Sequence, residues 1–160
     1  MIPKPAIAEA LALLPASMRR TEAVIQLYAI GLQESRFLHR RQIVGKPPKP
    51  VGPAKGFWQF ERGGGCIGVI NHASSRPHMQ RICKERDIDF TSAALWDAIE
   101  FDDVLAAAAA RLLLWTDPDP LPVRGDVGGA WDCYVRTWRP GKPHRATWDA
   151  FYAQAMAEAG

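Results

Sequence analysis

The chain has 160 residues, 48% hydrophobic and 23% charged, with a net charge of +3. That is the balance of an ordinary globular protein, long enough to bury a core without disulfides. The basic residues are scattered and nearly matched by acidic ones, which argues against the clustered basic stripe of a dedicated nucleic-acid binder.

Three widely spaced cysteines, Cys66, Cys83 and Cys133, are odd in number and read as reduced thiols rather than a disulfide framework. The first fourteen residues lack the ordered regions of a signal peptide, being interrupted by Pro3 and Pro5 and followed by Pro15. No segment approaches the roughly 18 apolar residues needed to cross a membrane. The richest, Val104 to Trp115, carries Arg111.

Alanine- and leucine-rich stretches outnumber alternating β-branched ones, so the expected fold is mainly α, in one domain over 1–160. Ala6 to Leu14 reads as a short helix stopped by Pro15. The segment from about Met18 to Arg41 is the strongest helical candidate, because Val24, Leu27, Tyr28 and Gly31 share one face. Gly45 to Gly56 contains four prolines and cannot be regular structure. It leads into the aromatic segment Phe57-Trp58-Gln59-Phe60, and Gly63-Gly64-Gly65 makes another break.

Cys66 to Asn71 is short and apolar and reads as a helical turn or a strand. Pro77 suits the first turn of a helix running to about Arg86, and Thr91 or Ser92 caps one through Ile99. Asp102 starts an alanine-rich helix that ends near Trp115, before Asp-Pro-Asp-Pro at 117–120. Helices near Asp126 to Trp138 and Thr147 to Ala157 complete the chain. The last has Trp148, Phe151, Tyr152, Ala155 and Met156 on one face, a pattern typical of core packing.

Glu34 stands out against this background. The apolar face that carries Leu27 and Ile30 reaches Glu34 one turn later, near the helix C-terminus. Desolvation and the negative end of the helix dipole both disfavour its ionised form. A carboxyl group still protonated near neutral pH is what cleavage of a glycosidic bond requires, because the departing oxygen leaves poorly without a proton.

Residues 29–35, Ala-Ile-Gly-Leu-Gln-Glu-Ser, and residues 52–60, Gly-Pro-Ala-Lys-Gly-Phe-Trp-Gln-Phe, resemble two linked motifs of the lytic transglycosylase and goose-type lysozyme superfamily. In that superfamily a helix ends in the catalytic Glu-Ser, and a loop then leads to a Gly-hydrophobic-hydrophobic-Gln signature. The interval of a little over twenty residues between Glu34 and Gly56 is similar to the family's. Gly129-Ala130-Trp131-Asp132, with Tyr134, resembles a late Ala-Tyr-Asn segment. The resemblance spans residues 18–140 but rests on these three islands.

It implies a lysozyme-like helical domain with a small irregular or β-hairpin element near the cleft, in the manner of a bacteriophage endolysin. Glu34 would be the catalytic acid and, in a transglycosylase, also the base. Ser35 would orient it or touch sugar, and Gln59 would hydrogen-bond the substrate or the acid. Trp58 and Phe60 would wall the cleft, since sugar rings pack their apolar faces on aromatics. Trp131, Asp132 and Tyr134 would contact the N-acetyl sugar. The expected partner is the peptidoglycan glycan strand, cleaved between N-acetylmuramic acid and N-acetylglucosamine by a monomer. No cofactor, metal, nucleic acid or membrane insertion is expected. The enzyme would stay in the host cytoplasm until released to the periplasm and wall.

Two departures from the family's pattern bear on the chemistry. Trp131-Asp132 stands where the family has Tyr-Asn, and Phe60-Glu61-Arg62 with three glycines follows the Gln. An inverting hydrolase needs a second carboxylate roughly 6.5–9.5 Å from the acid. Glu61 and Asp132 are the candidates, and without a clear partner the anhydro-forming transglycosylase is favoured.

Two other readings use different residues. Cys66, His72, His78 and Cys83 suggest a cysteine or zinc peptidase of cell walls, although their intervals match neither structural zinc pairs nor an H-E-x-x-H helix. Arg19-Arg20 and His39-Arg40-Arg41, with six tryptophans, suggest a non-enzymatic module binding nucleic acid or wall polymer.

Overall fold

The computed structural model describes residues 1–160 and contains eight helices. They are α1 (Lys4–Ala12), α2 (Thr21–Ser35), α3 (Ile67–Asn71), α4 (Arg76–Glu85), α5 (Ser92–Ile99), α6 (Asp103–Trp115), α7 (Val127–Trp138) and α8 (Arg145–Ala159). None is long and apolar enough to cross a membrane.

Helix α6 is the hub. Ala106 to Ala110 are all buried, as are Leu105, Leu112 and Leu114, because a helix apolar on every side has no face to give to water. Its small alanines let α1, α2, α3, α4, α5 and α7 all approach it. One continuous cluster of 39 buried residues results.

Capping explains the element starts. The Asp102 side chain accepts from the Leu105 N–H at 2.9 Å, Thr91 from Ala94 at 3.1 Å, and Asp126 from Gly129 at 2.9 Å. Each satisfies one of the four amide donors that a helix N-terminus leaves without partners. Pro77 sits in the first turn of α4, where its missing donor costs nothing.

Two expectations are corrected. The long helix does not run to Arg41; α2 ends at Ser35, where Arg36 and Phe37 both take left-handed backbone, φ 55° and 54°. The reason is tertiary. Gly31 leaves a notch on α2, and the Phe37 ring folds back into it, occupying the space a Cβ would fill. From there the ring meets Phe57 and Trp58 edge-on, both at 5.5 Å between centroids.

The second correction concerns the β-hairpin alternative, which is absent. Residues 41–60 carry only isolated bridges, Arg41 with Lys55, Val44 with Lys49 and Lys55 with Phe60. The prolines remove the donors a ladder needs.

This irregular segment is held by side chains instead. Arg40 makes a two-pronged bond to Asp103 at 3.0 and 2.7 Å. The buried Lys55 ammonium lies 3.0 Å from Asp97, 3.4 Å from Glu100 and 3.5 Å from the centre of the Trp96 ring. Trp96 in turn donates to the Pro53 carbonyl at 2.8 Å.

Candidate active site

Three helices meet at the end of α2. The buried Gln26 amide donates to the Ala130 carbonyl at 2.8 Å, tying α2 to α7. Two turns beyond, Gln33 donates to the His144 carbonyl and accepts from Thr147, both at 3.0 Å, tying α2 to the start of α8. Between these ties Glu34 and Tyr134 face each other, and the tyrosine hydroxyl donates to Glu34 Oε1 at 2.7 Å.

Tyr134 is fixed by aromatic packing. Its ring stacks on Trp148 of α8, 5.2 Å between centroids and 12° from parallel. Trp131 braces both, at 5.5 Å from Tyr134 and 5.6 Å from Trp148. The aromatic face of α8 is therefore core, and its local task is to hold the phenol that holds the acid.

Glu34 opens onto a groove of about 1370 Å³. Ser35, Gln59, Phe60, Glu61 and the three glycines at 63–65 lie along it, as do Asp117 and residues 136–142 of α7 and the turn that follows. Burial in the wall raises the Glu34 carboxyl from its ordinary 4.5 to about 7, and the Tyr134 hydroxyl pulls it partly back. Tyr134 itself is raised, by burial first and then by the neighbouring Glu34. At neutral pH the pair therefore holds comparable amounts of acid and carboxylate at one position, the condition for a group that both gives and takes a proton.

The other expected site residues divide. Gln59 reaches the groove from left-handed backbone, φ 53°, with its amide nitrogen donating to the Gly56 carbonyl at 3.0 Å. Phe60 is 2% exposed, so it offers the groove an edge while its ring packs on Trp138, 5.9 Å between centroids. Glu61 is exposed and faces the groove.

Four expectations change. Trp58 is no cleft wall: it is 1% exposed and its indole donates to the Leu27 carbonyl at 2.9 Å. The Ser35 hydroxyl donates to the Phe57 carbonyl at 2.7 Å and accepts from the Phe37 N–H at 3.1 Å. It pins the aromatic loop to α2 rather than orienting the acid. Trp131 packs between Tyr134 and Trp148 and does not line the groove. Asp132 is exposed and lies outside the groove, because two helical residues span about 200° and Tyr134 faces inward. Asp132 is therefore not a second carboxylate for Glu34.

Thr137, Trp138, Asp117 and Arg136 are among the groove residues that escaped the sequence reading. Thr137 and Trp138 follow Tyr134 by three and four positions on α7, so helical spacing from Tyr134 points to both. The ion pair of Asp117 with Arg136, 2.9 Å, joins the α6–α7 turn to α7 and carried no local signal.

The peptidase reading fails on accessibility. Cys66, Cys83 and Cys133 are free and buried, and burial pushes the thiols of Cys66 and Cys133 up to about 12, far from a reactive thiolate. No three of the His, Cys, Asp and Glu side chains converge to hold a metal ion.

Two measurements probe the acid and its partner. Tyr134→Phe removes the hydroxyl that favours the Glu34 carboxylate, so the carboxyl should ionise at still higher pH. By NMR of the isotopically labelled carboxyl, its titration midpoint should move up by about one pH unit, the scale of one hydrogen bond to a charged group. An unmoved midpoint would contradict the coupling.

The second measurement is stability. Folded Glu34 keeps its proton to about pH 7 against an ordinary 4.5, so the folded state binds more protons between those values. Its contribution is complete below pH 4.5 and is lost as pH rises through 7. Glu34→Gln should therefore gain up to about 3 kcal/mol over wild type at pH 8 and nothing at pH 4. Urea unfolding at both pH values reads this directly.

Compared with protein-family models, curated proteins and solved structures, the chain matches none. Its site defines it as an all-helical protein with a hydrogen-bonded Glu–Tyr pair at the wall of a groove. The function therefore rests on that geometry.

Proposed function

We propose that this chain is a peptidoglycan-degrading glycosidase of lysozyme-like type, working as a lytic transglycosylase in the manner of a bacteriophage endolysin. The observation that carries the reading is Glu34: a carboxyl at the groove wall, raised to about 7 by burial and held by the Tyr134 hydroxyl. The groove has room for sugar rings, at about 1370 Å³, and the Gln59 amide and Trp138 both line it.

In the forward step Glu34 gives its proton to the oxygen linking N-acetylmuramic acid to N-acetylglucosamine. The bond from that oxygen to the muramyl C1 breaks, and positive charge develops on the muramyl ring. The Glu34 carboxylate, accepting from Tyr134, then removes the proton of the muramyl C6 hydroxyl. Its oxygen closes on C1, leaving a 1,6-anhydro ring and Glu34 protonated again. One carboxyl serves both halves, in keeping with Asp132 lying outside the groove and Asp117 being paired with Arg136.

A hydrolysing muramidase of the same fold is the second reading, and Glu61 favours it as the exposed carboxylate that shares the groove. Mass spectrometry of digested peptidoglycan separates the outcomes. Anhydromuramyl ends are expected; reducing muramyl ends assign the water-activating role to Glu61, and cleaved peptides overturn both readings.

A further inference from the structure

The groove has a charged bank that catalysis at Glu34 does not use. Between α7 and α8 the chain runs Arg139-Pro140-Gly141-Lys142-Pro143-His144, and all but Pro143 line the groove. The other two groove cations are engaged. Arg136 pairs with Asp117 at 2.9 Å, and Arg41 lies 3.7 Å from Glu100. Arg139 and Lys142 have no carboxylate within 4.0 Å. Glu61 is the one exposed acid on the groove.

The backbone of this bank is organised. Arg139 occupies the left-handed position after α7, φ 50°, and its N–H bonds the Val135 carbonyl at 3.0 Å. Glycine is the unstrained residue for that position. Arg139 thus turns the chain directly at the end of α7, beside Trp138 on the groove. Pro140 and Pro143 stiffen the turn, so little freedom is lost when its cations engage a ligand. The bank begins one residue after Trp138 and five after Tyr134, the residue bonded to Glu34.

We propose that Arg139 and Lys142 form a subsite for carboxylates carried as substituents on the sugar chain, so that the groove selects acid-bearing glycan over neutral glycan. This rests on the glycosidase reading for its substrate, but it makes its own claim: affinity follows the substituent carboxylates. Arg offers a planar two-pronged donor for such a group, and Lys adds a mobile point charge.

The test is binding, independent of cleavage, with Glu34→Gln as the background. The probe is purified sacculi freed of phosphate polymers, either native or with carboxylates converted to neutral amides by carbodiimide and methylamine. By co-sedimentation, Glu34→Gln should bind native sacculi about tenfold more tightly than amidated ones, the scale of two solvent-screened charge contacts. Adding Arg139→Gln and Lys142→Gln should lower native binding to the amidated level and abolish the difference. Lys46→Gln with Lys49→Gln removes the same charge from an exposed loop outside the groove, and should stay within twofold.

Equal binding of both sacculi overturns the proposal, as does discrimination that survives loss of Arg139 and Lys142. An equal drop from the Lys46 and Lys49 changes also overturns it, because net charge would then suffice. If wild type releases no glycan products while binding still follows the carboxylates, the cleavage reading fails and the subsite stands.

Discussion

Glu34→Gln is expected to lower the rate of wall cleavage about a thousandfold while the protein stays folded. General acid catalysis supplies factors of about 10² to 10⁴, and in the proposed mechanism one group serves both proton transfers. Glutamine keeps the shape and can still accept the Tyr134 hydroxyl, so the loss should fall on kcat while binding to sacculi persists. Glu34→Asp retains an acid but draws it back by one methylene from the leaving oxygen, and should fall between the two. Release of dye from labelled sacculi gives the rates, and circular dichroism confirms the helical content. A glutamine variant within tenfold of wild type would remove Glu34 from the chemistry.

Gly31→Ala is the second large effect, this time on the fold that supports the site. The added methyl would lie inside the Phe37 ring, so the ring has to leave its notch or α2 has to move. Ejection also loosens the edge-on contacts of Phe37 with Phe57 and Trp58 and the two Ser35 bonds that fasten this loop to α2. Overpacking of this kind costs about 3 kcal/mol, which lowers Tm by about 10 °C in a chain of this size. Adding Phe37→Leu to Gly31→Ala frees space and should restore at least half of the loss. If Gly31→Ala melted within about 2 °C of wild type, the notch would not be what ends α2.

Most helices were legible because their signals are local. Thr91, Asp102 and Asp126 cap α5, α6 and α7, and the apolar spacing of α2, α6 and α8 marks their buried faces. The end of α2 was not legible. Neither Arg36 nor Phe37 is a glycine or asparagine, so nothing local announces the left-handed turn that the distant fit of ring to notch enforces. The site was read in part. Glu34, Gln59, Phe60, Glu61 and Tyr134 do come to one groove or its wall. Trp58, Trp131 and Asp132 do not line it, because chemical type says nothing about which way a side chain faces once helices pack.

The sequence by itself determined the helical class, the position of the proline-broken segment and the oddity of a glutamate ending an apolar stripe. These follow from periodicity and from what proline and capping side chains do to their own neighbours in the chain. Only the tertiary structure decided that Tyr134, a hundred residues away, would donate to that glutamate, and that Asp132 would face away. It also set Arg139 and Lys142 along the same groove as the acid. Such pairings arise from helices docking on the α6 hub, where the direction of each side chain depends on packing at long sequence separation.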